Sequence, residues 1–342
     1  ADIERGASGG GGGGVFAANR TLWQGSAALQ HAGFLMGRRQ RARPPATGRT
    51  LSGWGDESIR IDIAHCTLGV NGLSRSQQAI LEKRYAAFLA SGATVQSEFH
   101  VLPERTAARG HERFVGPAGE YTLEMVPCAD GVEITGYNFR ADLKLAPDFR
   151  GRLWACDEME LTRNTVMENY LRIVTAYAAL FQGGLLLHSA GFVLKGKAHL
   201  FLGRSGAGKT TLTRLARDAG AVILSDDINV IIPDQGGYAA LPVPFAGELG
   251  AASEAVTDSV PLAGVHFIEK GTPTGMKSIS SVECFAGLLV CTPFVNEDPF
   301  RLDQALDTIS DLSQSCAGGV LRFGPEDMFD PIDDLLQEYV SP

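Results

Sequence analysis

Ile59, Ile61 and Ile63 alternate with Arg60 and Asp62, and this two-residue period predicts a strand with one buried face. Over residues 74–89 the period lengthens. Ile80, Leu81, Tyr85, Phe88 and Leu89 recur at helical spacing, which predicts an amphipathic helix. Residues 121–125 and 131–137 predict two strands near a turn at Cys128, Ala129, Asp130 and Gly131. The longest helical pattern covers residues 164–181, with Val166, Tyr170, Ile173, Val174, Tyr177 and Leu180 along one side, and Gly183-Gly184 stops it. Leu185-Leu186-Leu187-His188 then opens a strand that continues through Gly191-Phe192-Val193-Leu194, and Lys195-Gly196-Lys197 turns it into the apolar run 198–202. Residues 211–216 are helix-compatible and lead to Gly220, a helix-stopping residue. A further apolar strand, 220–225, ends in Asp226-Asp227. Beyond it the pattern predicts a strand at 264–269, helices at 285–289 and 305–312, a strand at 321–323 and a terminal helix at 329–339.

These elements predict an α/β protein in three parts. Residues 1–55 contain an unbroken glycine run from Gly9 to Gly14 and a basic, proline-bearing stretch at 38–45. Such a segment buries too little apolar surface to offset its ordering entropy, so it reads as a disordered leader. Its arginine-rich composition also resembles a transit peptide, while the apolar core of a secretory signal is missing. Residues 56–160 read as a strand-rich α+β domain without a catalytic constellation, and 161–342 as the domain that carries the chemistry. No repeat of solenoid period is present.

Composition narrows the function classes. The 342 residues carry a net charge of −9, which disfavours broad nucleic-acid binding. No apolar run reaches the roughly 18 residues of a membrane span. The six cysteines, Cys66, Cys128, Cys156, Cys284, Cys291 and Cys316, form no C-x-x-C pair and no zinc spacing with histidine. They read as reduced thiols filling core positions, as in a cytoplasmic protein.

The chemistry concentrates at Gly203, Arg204, Ser205, Gly206, Ala207, Gly208, Lys209 and Thr210, the pattern G-x-x-x-x-G-K-[ST], with Thr211 next. Glycines let consecutive backbone N–H groups curl around phosphate oxygens, and the following helix turns its positive end toward them. In this loop Lys209 supplies a cation for β/γ phosphates and Thr210 a hydroxyl for Mg²⁺. The flanks, an apolar strand before and a helix after, are the context the motif requires. Asp226 and Asp227 end the next strand, where a P-loop protein holds Mg²⁺ or a nucleophile. Adjacent residues of a strand point to opposite faces, so one acid could serve the metal and the other the acceptor. The same pair could instead cap backbone N–H groups of a solvated turn. His188 ends an apolar run, where a strand delivers a side chain to a loop, although a lone histidine there is more often a packed residue.

His188, the glycine loop and Asp226-Asp227, in this order, resemble the kinase domain of HPr kinase/phosphorylase and its relatives. The wording Leu187-His188-Ser189-Ala190-Gly191 and Gly203 through Leu212 is similar to the broad HPr-kinase-related group, which includes lasso-peptide precursor kinases. The resemblance covers about residues 165 to 340. It implies a P-loop, HPr-kinase-like C-terminal domain and an ATP- and Mg²⁺-dependent serine kinase acting on a peptide or protein. By that resemblance Asp226 is the general base, Asp227 lies at the metal with Thr210, His188 lies near the γ-phosphate, and Glu248 matches a further acid at the metal or acceptor site. The Arg- and Gly-containing signature that follows the loop region in HPr kinase/phosphorylase itself is not visible. A homo-oligomer is left open.

Three other readings compete. A GTPase needs an Asn/Thr-Lys-x-Asp motif, which does not occur. An ABC ATPase needs its signature after the loop, whereas Leu51-Ser52-Gly53-Trp54 lies far before it. A phosphoenolpyruvate carboxykinase-like enzyme shares the loop and acid logic, and a nucleotide-binding sensor without catalysis is the non-enzyme alternative.

Overall fold

The computed structural model describes residues 53–90, 92, 95–103, 123–136, 139–145, 149–155, 157–163, 166–245, 247, 249, 258–315, 318–324 and 326–340. Most of the expected leader, Cys156, Cys316, Tyr121, Thr122, Asn164 and Glu248 lie outside these residues. Among the described residues the chain is mixed α/β, with two sheets.

The first sheet takes β1 (Glu57–Ile63), β2 (Cys66–Leu73), β3 (Ser97–Pro103), β4 (Glu124–Cys128), β5 (Gly131–Gly136), β6 (Phe139–Lys144) and β7 (Arg150–Ala155) in the order β1-β2-β3-β7-β6-β5-β4. Among the described residues its parallel pairs are β2–β3 and β3–β7, the others being antiparallel. Helix α1 (Arg75–Arg84) follows β2 and is opened by a capping box between Ser74 and Gln77. The helix expected over 74–89 is therefore shorter than its pattern. Tyr85 ends it, residues Ala86–Phe88 form one 3₁₀ turn, and Leu89 bridges to Ile61. Pairing with β1, including Ala90 N to Arg60 O at 3.0 Å, draws the chain out of the helix. Of the strand expected at 121–125, residues 124 and 125 lie in β4, which continues to Cys128, while 121 and 122 lie outside the described residues. The register of β4 with β5, Cys128 opposite Gly131, is set by the two-residue turn between them.

Helix α2 (Glu158–Arg163) leads into α3 (Val166–Phe181), which joins the two halves. The pattern placed its apolar residues on one side. In the fold Met167, Leu171, Thr175, Ala178 and Ala179 are buried as well, because α3 packs against both sheets. Tyr170 meets Phe99 of β3 edge-to-face and donates to Asp142 O of β6 at 2.9 Å. The helix closes with Gly184 N to Ala179 O and Gly183 N to Leu180 O, with Gly183 at φ 75°, the left-handed exit that glycine takes at least cost.

The second sheet is built on β8 (Leu185–Leu194) and β9 (Lys197–Leu202), hairpin partners across Lys195-Gly196. It continues with β10 (Val222–Ser225), β11 (Ile228–Asp234), β12 (Gly237–Leu241), β13 (Val260–Lys270), β14 (Gly275–Ser278) and β15 (Gly319–Phe323). The long β8 changes partner midway: Leu185–His188 pair with β11, and from Ser189 onward the strand pairs with β9 on one side and β10 on the other. Both β9 and β10 are antiparallel to β8, so they run in the same direction and end at the same edge. Strand β13 lies parallel to β9, and β15 parallel to β13.

Helices α3, α5 (Ser281–Cys291) and α6 (Leu302–Ser315) contribute to the main core, which runs without a break through both sheets. Helices α4 (Lys209–Asp218) and α7 (Asp330–Val340) cover a second cluster formed by Phe192, Phe201, Leu321 and Phe323. No helix among the described residues is long and apolar enough to cross a membrane.

Candidate functional site

The site forms where β9 and β10 end together. Register places Leu202 opposite Ser189 and Ser225 opposite Gly191, so the chain leaves both strands beside residues 189–191 of β8. From β9 it enters the glycine loop, from β10 the Asp226-Asp227 turn. His188 immediately precedes this stretch of β8. The strand arrangement thus brings together three segments distant in sequence.

Gly203 follows β9, and a Cβ there would fall 2.9 Å from the Ala207 side chain. Arg204 O accepts the Ala207 N–H at 3.0 Å, which closes the loop's turn. Ser205 and Gly206 are exposed, and Gly206 takes φ 74°. Gly208 is left-handed at φ 111° and immediately precedes α4, with Phe323 of β15 packed beneath it. Lys209, Thr210 and Thr211 form the first turn of α4, whose free N–H groups and dipole suit an anion. The Lys209 side chain is buried and folds back, donating from Nζ to Gly203 O at 2.7 Å and to Arg204 O at 3.4 Å. Burial lowers its pKa from the ordinary lysine value, and Cys291, Asp227 and Asp226 act in the opposite direction. Cys291, at the end of α5, lies behind the loop, and burial pushes its thiol up to about 11.

Asp226 is buried and Asp227 partly exposed, so the adjacent acids have different surroundings. The Ser225 hydroxyl accepts the N–H groups of Asp227 and Ile228, each at 3.2 Å, and donates to Phe245 O at 3.4 Å. Asp227 O in turn accepts the Ser189 N–H at 3.0 Å, which ties the turn to β8. The Asp227 carboxylate has Oδ1 3.1 Å from His188 Nδ1 and Oδ2 3.0 Å from Arg172 Nη2. Burial alone would raise its pKa. The His188 hydrogen bond and the charges of Arg172, His188 and Lys209 outweigh this and hold it below the usual carboxylate range. The backbone of Gly247 approaches Asp226 on its other side.

The structure therefore collects the glycine loop, Lys209, Thr210, Thr211, His188, Asp226 and Asp227 at one sheet edge. Glu248 lies outside the described residues. Several contributors carried no sequence signal. Arg172 is a single cation on a helix, Ser225 reads as the last residue of a strand, and Gly247 reads as a loop glycine. Asn229, which donates to Ser189 O at 2.7 Å and to Ser189 Oγ at 3.0 Å, steadies β8 at the partner change.

Among the described residues no three His, Cys, Asp or Glu side chains gather as a metal cluster. Mg²⁺ at a phosphate site needs only one or two carboxylates, the remaining positions being taken by phosphates and water. The donor set of Thr210 with one of two acids close enough to influence Lys209 fits that requirement.

Residues 156–296 match the family model described as ScmC, SynChlorMet cassette protein ScmC. The chain is similar to that family over a span that holds α3, β8, the glycine loop and both acids. No curated protein matches the chain.

Proposed function

We propose that this protein is an ATP-dependent, HPr-kinase-like P-loop kinase that transfers the γ-phosphoryl group to a serine hydroxyl of a peptide or protein. One observation carries the reading: β9 and β10 flank β8 and end toward the same side of the sheet, which brings the glycine loop and Lys209 near Asp226, Asp227 and the carboxylate-held His188. A motor or switch needs the loop and a metal acid. The additional buried acid, Asp226, can take the proton of an acceptor hydroxyl.

In this mechanism the loop N–H groups and Lys209 bind the β and γ phosphates, with Lys209 exchanging its carbonyl partners for phosphate oxygens. Thr210 and one of the acids would hold Mg²⁺, which would supply charge neutralisation at the nucleotide's phosphates. Asp226 takes the proton of the serine hydroxyl. The serine oxygen then bonds to the γ-phosphorus as the bond to the β,γ-bridging oxygen breaks, and ADP leaves. His188, with Nδ1 committed to Asp227, offers Nε2 toward the transferred group. The work is positioning and charge stabilisation rather than covalent catalysis. The ATP supply and the free Cys66, Cys128, Cys284 and Cys291 fit a cytoplasmic setting.

The test is to incubate the full chain with γ-labelled ATP, Mg²⁺ and serine-containing peptides, beside Asp226→Ala. Label on serine with wild type and its loss in the variant is the expected result. If both bind ATP and both transfer equally little, the protein is a nucleotide-binding sensor and the kinase reading is wrong.

A further inference from the structure

Arg172 lies on α3, outside every motif of the site, yet reaches the acid pair. Its Nη2 is 3.0 Å from Asp227 Oδ2 and donates to Glu168 Oε1, one helical turn earlier, at 2.7 Å. The guanidinium also lies over the Phe245 ring, 5.7 Å from its centroid. All three charged side chains are largely withdrawn from solvent, with 19% of Arg172, 17% of Glu168 and 26% of Asp227 exposed. The cation is therefore fixed on three sides: by a carboxylate on its own helix, by an aromatic face and by Asp227.

Asp227 needs this restraint. It sits in a two-residue turn between β10 and β11, where Ser225 and Ser189 hold its backbone but not its carboxylate. With a single partner, His188, it could turn either oxygen to the ring or release it. With Oδ2 engaged by Arg172, Oδ1 is left facing Nδ1 of His188. An ionised carboxylate only accepts hydrogen bonds, so Nδ1 must carry the proton, and Nε2 is the ring nitrogen left for another contact. Helix α3 is a suitable anchor, since it is packed against both sheets.

We infer that Arg172, braced by Glu168, is a positioning residue: by holding Asp227 it sets the tautomer and ring orientation of His188. This rests on the kinase reading for its catalytic consequence, but its structural claim can be measured without that reading.

The test uses the full-length chain labelled with ¹⁵N-histidine, whose ring nitrogen signals separate the two neutral tautomers from the doubly protonated ring. The His188 signal is identified by its absence in His188→Gln. Wild type should show the Nδ1-protonated form, and Arg172→Met a mixture of both neutral tautomers. In the transfer assay Arg172→Met should lower kcat by at least roughly tenfold while KM for ATP stays within about twofold, as expected of lost alignment. Arg172→Lys should restore part of both signals, and Glu168→Gln should weaken both in a fold that keeps the arginine. Should Arg172→Met not fold, those two variants carry the test. An unchanged His188 tautomer in every folded variant, or a kcat loss that appears only as lost ATP affinity, overturns the inference. If wild type transfers no label, the kinase reading fails and the tautomer alone decides.

Discussion

Gly247 faces the carboxylate of Asp226 so closely that a Cβ on the glycine would lie 2.0 Å from Oδ1. The proposed base is thus positioned partly by a missing side chain. Gly247→Ala should push the carboxylate aside without touching the phosphate loop. We expect phosphoryl transfer to fall by roughly tenfold to a hundredfold, the scale of a small misplacement of a catalytic group, with ATP affinity little changed. Steady-state kinetics and calorimetric ATP titration on the same preparation check this. A variant with wild-type kcat would remove Asp226 from the base role.

Lys209 spans the loop to the Gly203 carbonyl at 2.7 Å and is buried, which lowers its pKa against the opposing effect of Cys291, Asp227 and Asp226. Lys209→Ala should abolish measurable turnover, since charge neutralisation at the transferred phosphate is the main contribution to such catalysis. Single-turnover measurement with γ-labelled ATP is the check. A loss of less than about tenfold would speak against the glycine loop as the phosphate site.

The local half of this arrangement was legible in the chain. A glycine loop between an apolar strand and a helix, an acid pair at a strand end and a histidine after three leucines each depend on neighbours in sequence, and the structure has all three in their expected elements. What could not be read was long-range pairing. Nothing local says that β8 exchanges β11 for β9 and β10 at Ser189, although that exchange brings the segments together. Arg172 and Gly247 escaped for the same reason, since each meets an acid of the pair that is distant in sequence. Tertiary pairing also shortened the helix after Arg84, where Leu89 joins Ile61. The pattern of α3 showed one apolar side and could not reveal that a second sheet would cover the other.

Arg301 ties the two halves together. Its Nη1 donates to Cys128 O at 2.5 Å and to Asp298 Oδ2 at 3.2 Å, and its Nη2 donates to Ala129 O at 2.7 Å. Asp298 also accepts from Tyr177 OH at 2.9 Å. Arg301 is 7% exposed and Asp298 fully buried. Arg301→Met leaves a buried carboxylate without its cation, and breaking such a pair costs about 3 kcal/mol or more. Urea unfolding should show that loss, and adding Asp298→Asn should recover part of it. A change below about 1 kcal/mol, the range of exposed pairs, would contradict the clamp.

His199 and His266 stack in the core, with Nδ1 and Nε2 3.3 Å apart. Burial lowers His199 to about 4, against the opposing charge of Asp333. Burial and then His199 lower His266 to about 3. Both are neutral in the fold, while in the unfolded chain they take up protons below about 6.5. Stability is therefore complete above that value and falls as the pH drops toward 4, by about 1.4 kcal/mol per unit for each ring. His266→Gln should reduce the slope of unfolding free energy against pH in this window. An unchanged slope would show that these rings do not govern the acid limb.

Wild type and Asp226→Asn are compared for phosphoserine formation from ATP and Mg²⁺, measured by mass spectrometry of the acceptor peptide. ATP binding is measured on the same samples. A serine kinase with Asp226 as its base gives phosphoserine with wild type, a loss of roughly a hundredfold or more in the variant, and similar ATP affinity in both. Equal phosphoserine from both proteins, or none from either while both bind ATP, would contradict it.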